Sequence, residues 1–170
     1  MKKNIKYLGA IPIVTLPLIA IKEYLLILFL IAATLCVSYL CSKSPIRKLG
    51  LELVTFTTVL AGILHGFVAG ALVGALLILA HNMINHRFAT YLIFVVPFFG
   101  VMGGLASLFA SSNILILGTG LTIFSHLAFV SWRTLTARFP VRYLPYSALN
   151  IFFNFFLFKN IAPKILAISL

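Results

Sequence analysis

Residues 62–74 read GILHGFVAGALVG. Gly62, Gly66, Gly70 and Gly74 recur every fourth residue, which puts them on one helix face. In water each glycine weakens a helix by about 1 kcal/mol relative to alanine. In lipid the acyl chains are as apolar as leucine, so helices gain little from hydrophobic contact with each other. Small residues then matter because they let backbones approach closely. Gly66, Gly70 and Gly74, flanked by Ala69, Ala71 and Ala75, make a groove for a neighbouring helix. Gly100, Gly103 and Gly104 in the next apolar run supply the other side. The register therefore reads as a packing seam between membrane helices. A contact with a partner subunit or with a ligand is the other use of such a groove.

Composition agrees. Hydrophobic residues make up 62% of the 170-residue chain and charged residues 9%, and the mean hydropathy is +1.17. Soluble domains carry about 25% charged residues, so this chain could not hide its apolar surface in one water-soluble core. The apolar runs lack the alternation of barrel strands, which leaves α-helices as the way to satisfy backbone groups in lipid. The fold class expected is all-α: one polytopic membrane helical bundle of about six transmembrane helices over 24–160, preceded by a short hydrophobic segment at 7–21. That segment contains Pro12 and Pro17 and is set off by Lys22 and Glu23. No small-residue cleavage site follows it, so it does not read as a removed signal. The chain reads as multi-pass in a prokaryotic inner or plasma membrane.

The run 49–80 is too long for one crossing. As a single helix it would rise about 48 Å against a hydrocarbon core of about 30 Å. Two shorter helices meeting near Gly62–Gly66 fit better. The remaining runs are 88–110, 114–132 and 144–158, with HNMINHR (81–87) as a connecting loop and SSN (111–113) as a turn. Lys and Arg number 13 against 2 Asp and Glu, a formal net charge of +11. The cations fall in short gaps between apolar runs, so the partner they suit is an anionic lipid surface and not nucleic acid. With 49–80 broken, the gap holding Lys43, Arg47 and Lys48 and the gap holding Arg133, Arg138 and Arg142 fall on one side. The uncharged 111–113 turn falls on the other, as the positive-inside rule requires.

The order LELVTFTTVLAGILHGFVAGALVGALLILAHNMIN, then a helix with Pro97, Gly103 and Gly104, resembles the substrate-binding S-components of energy-coupling-factor vitamin transporters. The resemblance lies in motif at 49–110 and in spacing over 24–160. It implies import of a small organic nutrient, with energy from separate ATPase subunits docked through a coupling transmembrane subunit. The family's docking surface is an AxxxA on the first helix. Here that helix has Ala32 and Cys36, and AxxxA occurs at Ala71–Ala75 and Ala106–Ala110. The rod-shape membrane protein MreD has a similar organisation.

Polar residues within apolar runs are the candidate contacts, because each is costly in lipid unless partnered. Glu52 is one of the chain's two acids, with Thr55 and Gly62 on its face. It can pair with Arg47 or Lys48, or meet a substrate. Ser147, Asn150 and Asn154 form a polar stripe on a phenylalanine-rich helix, suited either to interhelical hydrogen bonds or to a heterocyclic ligand. Lys159 ends that helix and snorkels or touches ligand. His65 sits in the glycine turn, ahead of His81, His86 and His126 as a ligand contact; His126 with Ser125 reads as a hydrogen-bonded helix contact. The candidate substrate-binding set is thus Glu52, Thr55, His65, Asn150, Asn154 and Lys159. The packing set is Gly62, Gly66, Gly70, Gly74, Gly103 and Gly104. The histidine spacings form no metal motif, and Cys36 and Cys41 read as inert thiols. No cofactor is implied. Without a nucleophile–base motif, paired acids or a phosphate loop, the chain does not read as an enzyme. The alternatives to an importer subunit are a non-transporting MreD-like scaffold and a small self-associating carrier or channel.

Overall fold

The computed structural model describes residues 11–43, 50–87, 90–136 and 141–169, and all the regular structure among them is helical. Helix α1 runs from Ile11 to Lys43, α2 from Val54 to Ile84, α3 from Leu92 to Leu108, and α4 from Ile114 to Thr136. After a short 3-10 turn at Val141–Tyr143, α5 covers Leu144–Asn160 and α6 covers Ala162–Ser169. By length and composition, Tyr24–Lys43, Val54–Ile84, Ile114–Thr136 and Leu144–Ser169 are apolar enough to cross a membrane. The polytopic helical bundle read from composition is therefore present.

The helix count differs from the expectation. With α5 and α6 taken as one apolar stretch, the described residues form five helical segments, not about six. The reason is that the two halves of 49–80 belong to one segment: the chain reverses within α2 and no loop intervenes. The short segment expected ahead of the six is not separate either, because α1 passes without interruption through Pro17, Lys22 and Glu23. Lys and Glu interrupt hydropathy, but they are good helix formers; residues 7–10 lie outside the described residues.

The reversal is at Gly66, whose backbone (φ 84°, ψ −176°) is neither helical nor easily adopted by a residue with a Cβ. On either side the chain folds back on itself. The Cα of Gly62 lies 2.5 Å from where a Cβ on Gly70 would stand, and the Thr58 methyl lies 2.7 Å from the corresponding position on Gly74. Residues equally distant from Gly66 thus face each other, which makes α2 a helical hairpin. Its first arm is buried at every position from Val54 to Gly62. This is the pattern of an element enclosed on all sides.

Helix α3 closes the third side. The Gly103 carbonyl occupies the space that a Cβ on Gly62 or Gly70 would need, and the Phe99 carbonyl does the same at Gly74. Gly104 accommodates the Phe67 ring, 2.6 Å from its missing Cβ. Gly66 itself has nothing within 4 Å of that position. It therefore serves the turn and is not part of the seam to which its register assigned it. Around the hairpin, Phe56, Leu60, Leu157 and Phe158 form one packed cluster with Ile27 and Leu30 of α1. Val54, Leu77, Val95, Phe99 and Met102 form the other.

The bundle has two ends. The tip end holds Gly66 and the 109–113 turn. The base end holds the open mouth of the hairpin, the C-termini of α1 and α4, and the start of α5. Contacts fix this assignment: Tyr24 stacks on His65 at 5.3 Å near the tip, and Cys41 Sγ meets the Leu51 carbonyl at 3.5 Å near the base.

Candidate functional site

Hairpin geometry decides the site. Glu52 precedes the first arm and His81 lies near the end of the second, at nearly equal distances along the chain from Gly66. Folding at Gly66 brings them together, with His81 Nε2 2.9 Å from Glu52 Oε2. Their side chains are only 12% and 8% exposed, so the pair lies largely out of water. Helix α1 adds Ser38, whose Oγ is 2.9 Å from His81 Nδ1. Helix α5 adds Tyr146, whose hydroxyl donates to the Glu52 carboxylate. Burial alone would raise the Glu52 pKa. The facing His81 ring and its hydrogen bond, and then the Tyr146 hydroxyl, outweigh burial and hold it at about 2. Glu52 is therefore a carboxylate at neutral pH.

A second layer adjoins the first. Asn150 Nδ2 donates to the Gly50 carbonyl at 2.6 Å, and Asn150 Oδ1 lies 2.8 Å from His126 Nε2. An amide oxygen only accepts, so Nε2 carries the hydrogen. The Tyr143 hydroxyl then donates to His126 Nδ1 at 3.0 Å. Burial, and next the Glu52 carboxylate, push the Tyr143 phenol above its usual range, so it keeps that proton. Asn154 Nδ2 reaches Asn150 Oδ1 at 3.1 Å. Asn154 Oδ1 is buried without a hydrogen-bond partner. Both amides are fully buried. Gly50 permits this layer: its φ of +66° turns the chain, and a Cβ there would stand 2.7 Å from the Tyr146 carbonyl.

Between the layers is a small cleft lined by Ser38, Cys41, Gly50, Glu52, His81 and Arg87, with Asn85 and Tyr146 completing it. It has room for about one water molecule. The cleft can bind a proton donor, a small cation or one polar group of a larger solute at the carboxylate.

The candidate residues divide. Glu52, Asn150 and Asn154 come together at the base, and Thr55 is buried about one turn from Glu52. His65 is at the other end of the hairpin, stacked on Tyr24, with Nε2 buried and unpartnered. Lys159 is exposed in the last turn of α5, at the end away from the base, 5.8 Å from the Phe155 ring. Arg47 and Lys48, the expected ion-pair partners of Glu52, lie outside the described residues; the described partner of its carboxylate is the His81 ring. His81 is helical, not in a loop as its place in HNMINHR suggested. His126 bonds Asn150 and Tyr143, while Ser125 turns back to the Thr122 carbonyl. Sequence reasoning missed Ser38, Tyr146, Tyr143 and the Glu52–His81 pairing. A hairpin centred on Gly66 was the signal for that pairing, since it makes the partner of any stem residue a matter of counting.

No protein-family model matches the chain, and neither a curated protein nor a solved structure matches it.

Proposed function

We propose that this chain is a membrane substrate-binding subunit for import of a small organic nutrient, energised by partner ATPase subunits, and that its polar site is the Glu52 cleft. The observation that supports this reading is the convergence of α1, α2 and α5 on one buried, charged carboxylate. An ionisable group retained at such cost inside a membrane bundle is a functional candidate by default. Glu52 would take a cationic or donor group of the solute in exchange for His81 or Tyr146. Asn150 and Asn154 would supply amide contacts behind it, with Asn154 Oδ1 already lacking a partner. Because the cleft holds only about one water, solute entry requires α1 to part from the hairpin, breaking the Ser38–His81 and Thr34–Thr57 bonds.

The test is thermal unfolding of the purified chain against a panel of vitamins and related metabolites. One compound should raise Tm by several degrees, and Asn150→Leu should abolish that rise while still folding. If no compound shifts Tm and the chain co-purifies with no ATPase subunit, the reading fails. One observation favours a second reading, a non-transporting MreD-like assembly factor: the glycine-locked hairpin and the small cleft suit a rigid scaffold. That reading expects co-purification with cell-wall or division machinery and no ligand-dependent shift.

A further inference from the structure

The chain's charge cannot be balanced from within. There are 13 Lys and Arg against 2 acids. Glu52 is bonded to His81 and Tyr146, and Glu23 lies towards the opposite end of α1. Counter-anions must come from outside the chain, and the hairpin fold decides where. The segments joining elements at the base end, 43–53, 85–91 and 133–143, carry Lys43, Arg47, Lys48, Arg87, Arg133, Arg138 and Arg142 in sequence. The tip-end connections, 65–67 and 109–113, carry none, and the cations towards that end, Lys22, Lys159 and Lys164, lie on helices. Counted over the connections, the positive-inside rule assigns the base to the cytoplasmic side, where the leaflet is rich in anionic lipid.

Two of these cations converge. The Arg133 guanidinium lies 5.9 Å from the Tyr91 ring centroid. The Tyr91 hydroxyl bonds Asn82 and lies 3.5 Å from the Arg87 carbonyl. Both arginines act electrostatically on the Tyr143 phenol, which places their charges around one corner of the base. Trp132, adjacent to Arg133, stacks flat on Phe94 at 4.7 Å and so fixes the end of α4. Ile93, Leu135 and Val141 stand exposed nearby, at 78%, 84% and 64%. Cationic forks beside an amphipathic aromatic rim and bare aliphatic side chains suit a ligand that is anionic at one end and a hydrocarbon at the other.

We propose that Arg87 and Arg133, with the rim of Tyr91 and Trp132, bind the phosphate of an anionic phospholipid in the cytoplasmic leaflet. Free phosphate would satisfy the guanidinium groups but leave the aliphatic rim uncovered. Arg87 also lines the Glu52 cleft but Arg133 does not, so Arg133 variants report the lipid separately from any solute at Glu52.

Trp132 is the chain's only tryptophan and sits at the site, so it reports occupancy. The full chain is placed in phosphatidylcholine vesicles containing a minor fraction of brominated phosphatidylglycerol, or an equal fraction of brominated phosphatidylcholine. Trp132 should be quenched more strongly by the anionic lipid. Arg133→Gln, a change at an exposed position, should reduce that preference about fivefold, the effect of one cation near a charged surface. Arg133→Lys should retain only part of it, since an ammonium keeps the charge but not the fork. Lys159→Gln, at the far end of α5, should leave it unchanged. Equal quenching by both lipids would overturn the proposal. So would equal losses in Arg133→Gln and Lys159→Gln, which would indicate diffuse attraction. If inorganic phosphate added to neutral vesicles perturbs Trp132 at millimolar levels and Arg133→Gln removes that response, the ligand is a free anion and the lipid assignment is wrong.

Discussion

Glu52 is the residue on which the base end depends. Its partners, His81 and Tyr146, come from two helices and Ser38 of a third bonds His81, so neutralising it affects more than one contact. Glu52→Gln leaves the Ser38–His81–Tyr146 group without its charge, and removing one member of a buried pair costs about 3 kcal/mol. We expect a lower Tm, with α1 loosened from the hairpin. The pH dependence follows in sign. The folded value of about 2 lies below the unfolded carboxylate value of about 4.3. The stabilisation is therefore complete above the unfolded value and is lost as pH falls through the folded one. Wild-type Tm should decline from about pH 5 towards about pH 2, and Glu52→Gln should show a flatter acid limb. Thermal scans of both proteins across that range provide the check; parallel curves would refute the assignment.

At the level of elements, the hairpin and α3 form a unit because carbonyls occupy the places of absent side chains. Three kinds of glycine are distinguishable. At Gly62 and Gly103 an added Cβ would meet a backbone carbonyl, which cannot rotate away. Gly62→Ala or Gly103→Ala should therefore separate the helices, costing about 2–3 kcal/mol by overpacking. At Gly66 there is open space but a positive φ with a ψ of −176°, a region essentially confined to glycine, so Gly66→Ala should cost about 1–3 kcal/mol in backbone strain alone. At Gly120, exposed inside α4 with nothing within 4 Å, Gly120→Ala should be neutral or stabilise by up to about 1 kcal/mol. Of the four variants, Gly120→Ala should have the highest unfolding midpoint, and the other three should all fall below wild type. A Gly62→Ala protein as stable as Gly120→Ala would mean that the seam is not closely packed.

For the whole molecule, the consequence is orientation. All the connections rich in Lys and Arg join elements at the end that contains the Glu52 cleft, so the positive-inside rule predicts the polar site on the cytoplasmic side of the bundle. In a background with Cys36 and Cys41 replaced, Ser112→Cys should react with a membrane-impermeant maleimide on intact cells. Thr136→Cys should react only after permeabilisation. The reverse pattern would invert the molecule and move the cleft outside. An importer with a cytoplasmic cleft must expose it alternately to the other side, whereas a scaffold need not; the measurement therefore bears on both functional readings.

By itself the sequence determined the solvent and the punctuation. Hydropathy sets the membrane bundle because apolar surface on this scale cannot be withdrawn from water by one core. The four-residue glycine spacing and the excessive length of 49–80 marked both a seam and a break within that run. Hydropathy could not show that Lys22 and Glu23 continue a helix, because backbone hydrogen bonding is indifferent to which side chains point outward. Nor could it divide the glycines between turn and seam, since identical residues differ there only in φ and in what stands opposite. The tertiary structure decided the pairings of Glu52 with His81, His81 with Ser38, and Asn150 with both His126 and Gly50. These partners are far apart in sequence, and a polar atom buried in lipid takes whatever donor or acceptor the fold carries within about 3 Å. Only reversal at Gly66 brings the two ends of the hairpin to that distance.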